Sequence, residues 1–441
     1  MKVLVVGSGG REHALCLSLS LSDHVSEVFC CPGNPGIAQI AHCLSIQVDQ
    51  FDQIVDAVNL HKVGLVVIGP DDPLAAGIVD YLEERSIRVF GPKRDAAKLE
   101  WSKYFAKEFM LRRGIPTARY AAFDRREYAI AYAYSRRLPV VIKADGLARG
   151  KGVAVVHSYE AAIGAINACF DGKYGQAGSL VLIEDFLPGR EASVFAICDG
   201  EDYAILPTAQ DYKRLLDGNR GPNTGGMGAI SPHPLIDDET IRKVETRILQ
   251  PTLAGMKEEG RSYRGFLYIG LMLDEQKNPY VIEFNCRLGD PETQVILPLL
   301  ECDLFETLNQ ACAGKLNFRG ILPSAETSGA GAAICVTLAS QGYPDKIATG
   351  MPVRFKVGFT LASHSQLIDQ TNEIDPEGAK ILLFHASTSL DSQRNLVTSG
   401  GRVLGVTALS DNLFNARKAV YQAVSKIDFA GKQNRNDIGF D

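Results

Sequence analysis

An apolar strand, a glycine-rich turn and a helix open the chain in that order, and this order constrains the fold more than any other feature. Residues 2–6 are apolar enough for a buried strand, residues 7–10 are Gly-Ser-Gly-Gly, and residues 11–22 have helical apolar spacing. Similar strand and loop units follow at residues 64–68 and 87–90. Repeated units of this kind predict an open, mostly parallel α/β sheet that binds ligands beyond the carboxyl ends of its strands.

The glycine turn favours phosphate binding over dinucleotide binding. Backbone N–H groups at the start of a helix can receive a phosphate. The third glycine of a dinucleotide fingerprint would fall at Glu12, however, and the next strand ends in Cys31-Pro32, where an acidic ribose ligand would be needed. A nicotinamide enzyme is therefore not expected, and the turn either holds a phosphate of another ligand or is merely structural. Asp71 and Asp72 follow the end of a predicted strand. They are either substrate contacts or ordinary turn residues.

The composition is that of a globular protein of about two to four domains. The 441 residues are 46% hydrophobic and 22% charged, with a net charge of -6 and a pI near 5.8. This balance argues against a general affinity for nucleic acid. The sequence has no signal-like start and no apolar run of about eighteen residues, so we expect a cytoplasmic protein without a membrane segment. The ten cysteines form no C-x-x-C pair, which argues against a zinc site or a disulfide framework.

The stretch over residues 279–294 carries the strongest chemical signal. Its first half alternates apolar and polar side chains and runs into turn formers, which predicts a strand followed by a loop. Glu283 and Asn285 then share one face, and two oxygen ligands on a rigid strand suit Mg²⁺, whose shell substrate phosphates usually complete. Arg287 projects from that face and could stabilise charge that develops there. The alternative is a half-buried strand whose polar face meets water.

Cationic residues mark the middle of the chain. A helical pattern over residues 94–113 includes Lys103, and a buried-looking strand over residues 138–143 delivers Lys143 at its end. The glycine-rich loop that follows, residues 144–153, carries two further cations, which a lid over a polyphosphate would require. Its spacing is not that of a Walker P-loop.

Two later segments suggest further ligand contacts. Residues 179–183 are a predicted strand; backbone amides just after it could read an adenine edge, and Glu191 could accept from ribose hydroxyls. An ordinary loop is the alternative on composition alone. Residues 221–228 contain four glycines, so this loop can approach a small ligand closely. The last third, from about residue 325, has the pattern of a compact α/β domain with its own core and by itself suggests no chemistry.

Four motifs in chain order resemble those of the phosphoribosylamine–glycine ligases, a family of the ATP-grasp superfamily. They are GSGGREHA at residues 7–14, KADGLA at 143–148, GPNTGGMG at 221–228 and EFNCRLGDPETQ at 283–294. The resemblance covers nearly the whole chain, down to RNDIG at residues 435–439. Two positions depart from the family pattern, because Arg149 replaces a usually small residue and Tyr212 stands where a histidine is common.

The resemblance implies a multidomain fold of α/β and α+β type. An N-terminal open parallel α/β domain, Rossmann-like and substrate-binding, would span residues 1–101. A central ATP-grasp domain would span residues 102–324 and carry a small lid at about 123–190. A C-terminal α/β domain would span residues 325–441 and close against the rest.

The resemblance also implies an ATP-dependent carbon–nitrogen ligase of purine biosynthesis. Such an enzyme joins glycine to 5-phospho-D-ribosylamine through glycyl phosphate, yields glycinamide ribonucleotide, ADP and phosphate, and uses Mg²⁺ or Mn²⁺. We expect a cytoplasmic monomer without nucleic-acid or membrane partners, in which Cys286 is a packing residue. Another ATP-grasp carboxylate–amine ligase of nucleotide metabolism and a non-catalytic nucleotide-binding protein are the two alternatives.

By motif position, the resemblance implies four sets of site residues. The catalytic set is Asp211, Lys213 and Arg287, and the metal ligands are Glu283 and Asn285. ATP would contact Lys103, Lys143, Gly150, Lys151, Gly152, Glu184, Asp185, Phe186, Leu187 and Glu191. Glycine and 5-phosphoribosylamine would contact Gly9, Gly10, Arg11, Glu12, Asp71, Asn223, Thr224, Gly226, Asp290, Pro291 and Glu292.

Overall fold

The strand, turn and helix at the start of the chain begin a five-stranded parallel sheet in the computed structural model. The structure describes residues 1–147, 152–316, 319–324, 331–356 and 379–440. The first elements are β1 (Lys2–Gly7), α1 (Gly10–Ser20), β2 (Glu27–Pro32), β3 (His42–Cys43), α2 (Phe51–His61), β4 (Leu65–Ile68), α3 (Asp71–Ala76), α4 (Ile78–Glu83) and β5 (Val89–Phe90). The strand order is β3-β2-β1-β4-β5, and every neighbouring pair is parallel. The predicted open α/β sheet is confirmed.

The single helix predicted over residues 94–113 is wrong, because the chain forms two helices there. They are α5 (Lys98–Trp101) and α6 (Lys103–Arg113). Ser102 between them is extended, and its side chain accepts from the backbone N of Phe105 at 3.1 Å. A serine cap satisfies a backbone donor that the start of a helix leaves free, so the sequence gains a new helix start at this residue. Lys103 is therefore the first residue of α6.

A small antiparallel sheet with two helices forms a separate layer at the position of the predicted lid. Its elements are β6 (Tyr120–Phe123), α7 (Arg126–Ser135), β7 (Val140–Ala144), β8 (Val153–Val156), α8 (Tyr159–Phe170) and β9 (Val181–Asp185). The strand order is β6-β9-β7-β8, and its own core includes Ile142, Ile166 and Ile183. Residues 148–151 of the predicted glycine-rich loop, Arg149 among them, lie outside the described residues.

The central part of the chain builds a second five-stranded sheet. In chain order its segment contains β10 (Arg190–Asp199), β11 (Tyr203–Ile205), β12 (Gln210–Asp211), β13 (Arg214–Leu216), β14 (Arg220–Asn223), β15 (Gly228–Ser231), α9 (Asp238–Val244), α10 (Gln250–Glu258), β16 (Arg264–Leu273), β17 (Pro279–Asn285), α11 (Thr293–Ile296), α12 (Leu304–Cys312) and β18 (Gly320–Ile321). The sheet order is β17-β16-β10-β11-β18, and β13 and β14 form a separate hairpin. A π-helical turn, Glu245–Leu249, joins α9 to α10.

The C-terminal part shares its sheet with the central segment. Its elements are β19 (Ala332–Ala339), β20 (Arg354–Phe355), β21 (Lys380–His385), β22 (Thr388–Leu390), β23 (Leu396–Thr398), β24 (Arg402–Ser410), α13 (Leu413–Ser425) and β25 (Ile427–Asp428). The sheet order is β12-β15-β19-β24-β21, so two short strands from the central segment complete it. Linear boundaries in the sequence therefore describe this region only approximately.

Two buried histidines join the N-terminal and C-terminal parts. The backbone N of His385 donates to His13 Nδ1 at 2.8 Å, and Asn34 Nδ2 donates to the carbonyls of Ser8 and His385 at 2.8 and 2.9 Å. Burial, together with the nearby His385, lowers the pKa of His13 to about 3, so the ring is neutral and can accept this bond. These hydrogen bonds hold the N-terminal part of the chain against the C-terminal part at His385.

Candidate active site

A cavity of about 1120 Å³, hereafter the cleft, lies where the N-terminal, central and C-terminal parts meet. The predicted site residues on its wall are Arg11, Asp71, Lys103, Lys143, Gly152, Glu184, Asp185, Phe186, Leu187, Glu191, Asp211, Lys213, Asn223, Thr224, Glu283, Asn285, Arg287, Asp290 and Glu292. Five others, Gly9, Gly10, Glu12, Gly226 and Pro291, do not line the wall. Gly150 and Lys151 lie outside the described residues.

A bulge in strand β17 prepares the predicted metal ligands. Gly270 on β16 pairs with Glu283, but the next pair along β16 skips Ile282, which is left as an extra residue. Beyond this bulge Glu283 and Asn285 lie two residues apart on one face of the strand. The carbonyl of Ile282 accepts from Lys143 Nζ at 3.1 Å, so the extra residue also fixes a lysine. Regular alternation did not predict the bulge.

The carboxylate of Glu283 is surrounded by positive charge. Burial by itself would raise the pKa of this carboxyl. Four nearby cations outweigh burial and hold the pKa below its ordinary value, namely Lys213, Lys143, Lys103 and Arg287. Burial lowers the pKa of Lys103, and the charge of Lys143 lowers it further. The ammonium groups can bind a polyphosphate, and the ionised carboxylate among them can bind the counter-cation of that polyphosphate.

Glu184 holds two buried lysines at once. Its carboxylate oxygens lie 2.9 Å from Lys143 Nζ and 2.8 Å from Lys107 Nζ, and all three side chains are at most 4% exposed. Lys107 Nζ also donates to Thr117 Oγ1 at 2.8 Å. Burial, with help from Lys143, lowers the pKa of Lys107 to about 8. Lys107 was not predicted from the sequence, because one lysine within a helix carries no signal of a partner in a distant strand.

Glu100, which was not predicted from the sequence either, supports Arg287. Glu100 is buried, lies 3.1 Å from Arg287 Nη2 and accepts from the backbone N of Cys286 at 2.7 Å. Burial raises the pKa of Glu100 to about 7, although Arg287 opposes this shift. Cys286 is itself buried in the hydrophobic core, which agrees with its predicted packing role. The Glu100 contact fixes Arg287 beside Asn285, whose Oδ1 accepts from Arg287 Nη2 at 3.2 Å.

The glycine turn before α1 is filled by the protein's own side chains. Glu12 Oε2 accepts from the backbone N of Gly9 at 2.6 Å, and Glu12 Oε1 accepts from Arg11 Nε at 2.6 Å. A β-carbon on Gly10 would collide with Nε2 of Gln294, which donates to Asp290 Oδ1 at 2.8 Å. Glu12 is buried beneath the turn, and its predicted contact with substrate stays a prediction. Gly9 leaves space for the side chain of Glu12, and Gly10 leaves space for that of Gln294.

Asp211 and Glu292 form a pair of carboxylates on the cleft wall. Burial raises the pKa of Asp211 well above its ordinary value, and the neighbouring Glu292 raises it further. Burial also raises the pKa of Glu292. Asp211 Oδ1 is buried and has no hydrogen-bond partner among the described residues. Gly226, with φ +112°, has no space for a β-carbon because it packs against Pro291. At this position the glycine-rich loop therefore approaches another part of the protein closely, where the sequence predicts an approach to a ligand.

The C-terminal part contributes charge to the cleft, although its sequence by itself suggests no chemistry. Arg402 Nη2 lies 3.2 Å from Asp290 Oδ2, and Arg402 Nη1 donates to the carbonyls of Gly225 and Asp290. Burial by itself would raise the pKa of Asp290, but Arg402 and then Arg11 hold it below its ordinary value. Arg435 and Asp437 also line the cleft.

The fold and the site define an ATP-grasp protein: a small antiparallel sheet and a larger one enclose a cleft lined by lysines and a strand carboxylate. Residues 101–293 match the model "Phosphoribosylglycinamide synthetase, ATP-grasp (A) domain", and residues 1–100 and 333–441 match the N domain and the C domain of the same synthetase. The chain belongs to the phosphoribosylglycinamide synthetase family. The predicted family and its three-domain architecture are thereby confirmed.

Known proteins of this family are similar over the full length. A phosphoribosylamine–glycine ligase of Chlorobaculum tepidum is 46% identical and covers 100% of this chain and 99% of its own. The crystal structure of a phosphoribosylamine–glycine ligase from Thermotoga maritima is 36% identical, with a TM-score of 0.82, over 99% of this chain and 100% of that chain. The biotin carboxylase domain of a Hydrogenobacter thermophilus 2-oxoglutarate carboxylase is 18% identical, with a TM-score of 0.70, over 98% and 91%, and shares the fold.

Proposed function

We propose that the chain is an ATP-dependent ligase that joins glycine to 5-phospho-D-ribosylamine and yields glycinamide ribonucleotide, ADP and phosphate, a step of purine biosynthesis. The observation that carries the proposal is the cleft itself, where Glu283 stands among four cations and the carboxylates of Asp211 and Glu292 lie on the same wall. The names of the full-length relatives support it. The proposed setting is the cytoplasm, where the chain would act as a monomer.

The reaction needs charge stabilisation more than a protein nucleophile. An amide forms from a carboxylate and an amine only if the carboxylate oxygen becomes a better leaving group. The γ-phosphoryl group of ATP is therefore transferred to glycine, which gives glycyl phosphate and ADP, and the amine of phosphoribosylamine then displaces phosphate. Positioning and electrostatics carry most of such a phosphoryl transfer. Lys103 and Lys143 would bind the phosphates, and Arg287 would stabilise the charge that develops.

Mg²⁺, or Mn²⁺ in its place, would be held by Glu283 and Asn285. The donor set fits, because one carboxylate with a lowered pKa and one amide oxygen lie on the same strand face. Among the described residues, no group of three or more His, Cys, Asp or Glu side chains could hold a metal ion. Substrate phosphates would have to complete the shell. When bound, the cation neutralises phosphate charge, and Arg287 would stand beside it.

ATP would lie between the small antiparallel sheet and the central sheet. Residues 184–187 would contact the adenine and Glu191 the ribose, and Gly150, Lys151 and Gly152 would cover the phosphates. Glu191 lies 3.0 Å from Lys213, a contact that would align its carboxylate. We propose residues 1–101, 102–324 and 325–441 as the three domains, with a lid at about 123–190, while strands β12 and β15 join the C-terminal sheet.

The two other substrates would occupy the remaining walls. Phosphoribosylamine would lie on the N-terminal side, against Arg11 and Asp71, and glycine would lie near Asp211 and Lys213. Asp211 Oδ1, which has no hydrogen-bond partner among the described residues, would accept from the ammonium group of an amino acid, and that positive charge would favour the ionised carboxylate. Further contacts would come from Asn223, Thr224, Asp290 and Glu292. Gly9, Gly10, Glu12, Gly226 and Pro291 would act from behind the wall by shaping it.

Release of ADP tests the proposal. The purified chain with Mg²⁺ and ATP should release ADP only when both glycine and freshly made phosphoribosylamine are present, and each is omitted in turn as a control. Dependence on a different acid or amine would indicate another ATP-grasp carboxylate–amine ligase. Absence of ADP release under all conditions would indicate a nucleotide-binding protein without turnover.

A further inference from the structure

The last residues of the chain cross from the C-terminal part to the hairpin of β13 and β14. We call residues 433–440 the C-terminal strap. The strap leaves the C-terminal part where Gln433 and Ala339 exchange backbone hydrogen bonds at 2.8 Å. Further along, Asn436 donates from its backbone N and its side chain to the carboxylate of Asp217, at 2.8 and 3.1 Å. The backbone N of Gly218 donates to Asp437 Oδ2 at 2.7 Å, so strap and hairpin are joined from both sides.

Arg435 and Tyr212 form the centre of this junction. Arg435 is 2% exposed, and its guanidinium donates from Nε and Nη2 to the two carboxylate oxygens of Asp437, both at 2.7 Å. The same guanidinium lies 5.0 Å from the centre of the Tyr212 ring. The hydroxyl of Tyr212 accepts from the backbone N of Gly439 at 3.1 Å. Tyr212 is thus bound to the strap through both its ring and its hydroxyl.

Tyr212 stands between the two residues that the proposed function uses most. Asp211 precedes it and Lys213 follows it, and all three residues line the cleft, as does Arg435. The Tyr212 ring belongs to the hydrophobic core of the C-terminal part, and its backbone bonds Gly228 and Met227 at 2.9 Å. A displacement of Tyr212 would therefore move its two neighbours, and errors of about 1 Å in a reacting group can cost about a hundredfold in rate.

We propose that the C-terminal strap positions Asp211 and Lys213 in the cleft through Tyr212 and the hairpin. Arg435 and Tyr212 are positioning residues in this account. The hydroxyl of Tyr212 anchors the strap through the backbone N of Gly439. The inference rests on the proposed function only for its kinetic readout, because hairpin order can be measured without turnover.

Kinetics of Tyr212→Phe, Arg435→Gln and Arg435→Lys test the proposal. Tyr212→Phe removes only the hydroxyl that accepts from Gly439. For Arg435→Gln we expect a loss of about tenfold or more in kcat, while the ATP dissociation constant measured by calorimetry changes less than about twofold. Arg435→Lys keeps the charge and should recover part of the loss, and Tyr212→Phe should show a smaller loss of the same kind. The exposed Tyr128→Phe on the lid is the matched control.

Two further measurements separate positioning from simple unfolding. Tyr421→Phe removes the hydroxyl that accepts from Ile438 N at 2.9 Å, and Tyr421 does not line the cleft, so a kcat loss there must pass through the strap. Trypsin should cut after Arg220 in the hairpin faster in Arg435→Gln than in the parent chain, with unchanged circular dichroism. If the parent makes the amide while folded variants keep its kcat and its cleavage rate, the proposal is overturned. A parent chain that makes no amide contradicts the proposed function, and cleavage then still tests the strap.

Discussion

Lys143 Nζ lies 2.9 Å from Glu184 Oε1 in the wall of the cleft, and both side chains are 4% exposed. The lysine that would bind an ATP phosphate is therefore held by a carboxylate that also pairs with Lys107. A buried carboxylate shared by two lysines holds both ammonium groups in place. A phosphate that arrives beside Lys143 would share this lysine with Glu184, and Lys107 would keep the carboxylate in place.

Removal of the shared carboxylate should destabilise the fold. Glu184→Gln leaves two lysines buried without their anion, and breaking a buried pair in this way costs about 3–5 kcal/mol of unfolding free energy. Urea unfolding of the variant and of Glu160→Gln, an exposed glutamate on the lid helix, measures the difference. Equal stability of the two variants would contradict the role assigned to Glu184.

Loss of the Glu283 carboxylate should remove the metal dependence of the reaction. Glu283→Ala is expected to lower ligase activity by about a hundredfold or more, since the cation loses its charged protein ligand. ATP affinity measured by calorimetry should then respond much less to Mg²⁺ than in the parent chain. Glu275→Ala, an exposed residue in the turn before the same strand, is the control. Near-normal turnover of a folded Glu283→Ala enzyme would show that the metal lies elsewhere.

Gly10→Ala, which adds a methyl group, should disturb the substrate side of the cleft and leave the nucleotide side intact. The methyl group would collide with Gln294 Nε2, which bonds Asp290. The displaced Gln294 would no longer orient Asp290, and loss of one charge-assisted contact between Asp290 and the substrate, about 1.5–3 kcal/mol, would raise the KM for phosphoribosylamine by roughly ten- to a hundredfold. Gly164→Ala, on a lid helix with open space around it, is the matched control. A fall in ATP affinity instead would assign the turn to the nucleotide.

The pKa of Glu100, raised by burial from 4.5 to about 7, makes stability depend on pH. The folded state keeps this proton at a pH where the unfolded chain has lost it. The contribution of Glu100 is therefore fully present below about pH 4.5 and is lost as pH rises through about 7. Urea unfolding is measured for the parent chain and for Glu100→Gln across this pH range. As pH rises, the unfolding free energy of the parent chain should fall relative to that of Glu100→Gln. A constant difference would contradict the raised pKa.

Local patterns predicted the elements and the motif residues, because they depend on neighbours in sequence. The first βα unit, the strand that carries Glu283 and the lysine at the end of β7 follow from periodicity and turn residues. The break at Ser102 was not predicted, because a serine inside a helical pattern fits either a cap or a helix interior. The bulge at Ile282 was not predicted either, because one extra residue leaves the hydrophobic composition of the strand unchanged.

Contacts between distant parts of the chain could not be predicted from one sequence. Glu100, Lys107 and Arg402 acquire their roles only through partners that folding brings near them. The inward direction of Glu12 was not predicted either: its motif suggests a substrate contact, and in the structure its carboxylate accepts from the backbone N of Gly9. Direction of a side chain depends on packing, which a motif does not encode.

Isotope transfer tests the central claim most directly. Glycine labelled with oxygen-18 in its carboxylate is supplied with ATP, Mg²⁺ and phosphoribosylamine, and the released phosphate is analysed by mass spectrometry. If the γ-phosphoryl group is transferred to glycine before the amine attacks, each phosphate carries one labelled oxygen for each amide formed. Amide formation with unlabelled phosphate would contradict the glycyl phosphate route and the roles that we assign to Lys103, Lys143 and Arg287.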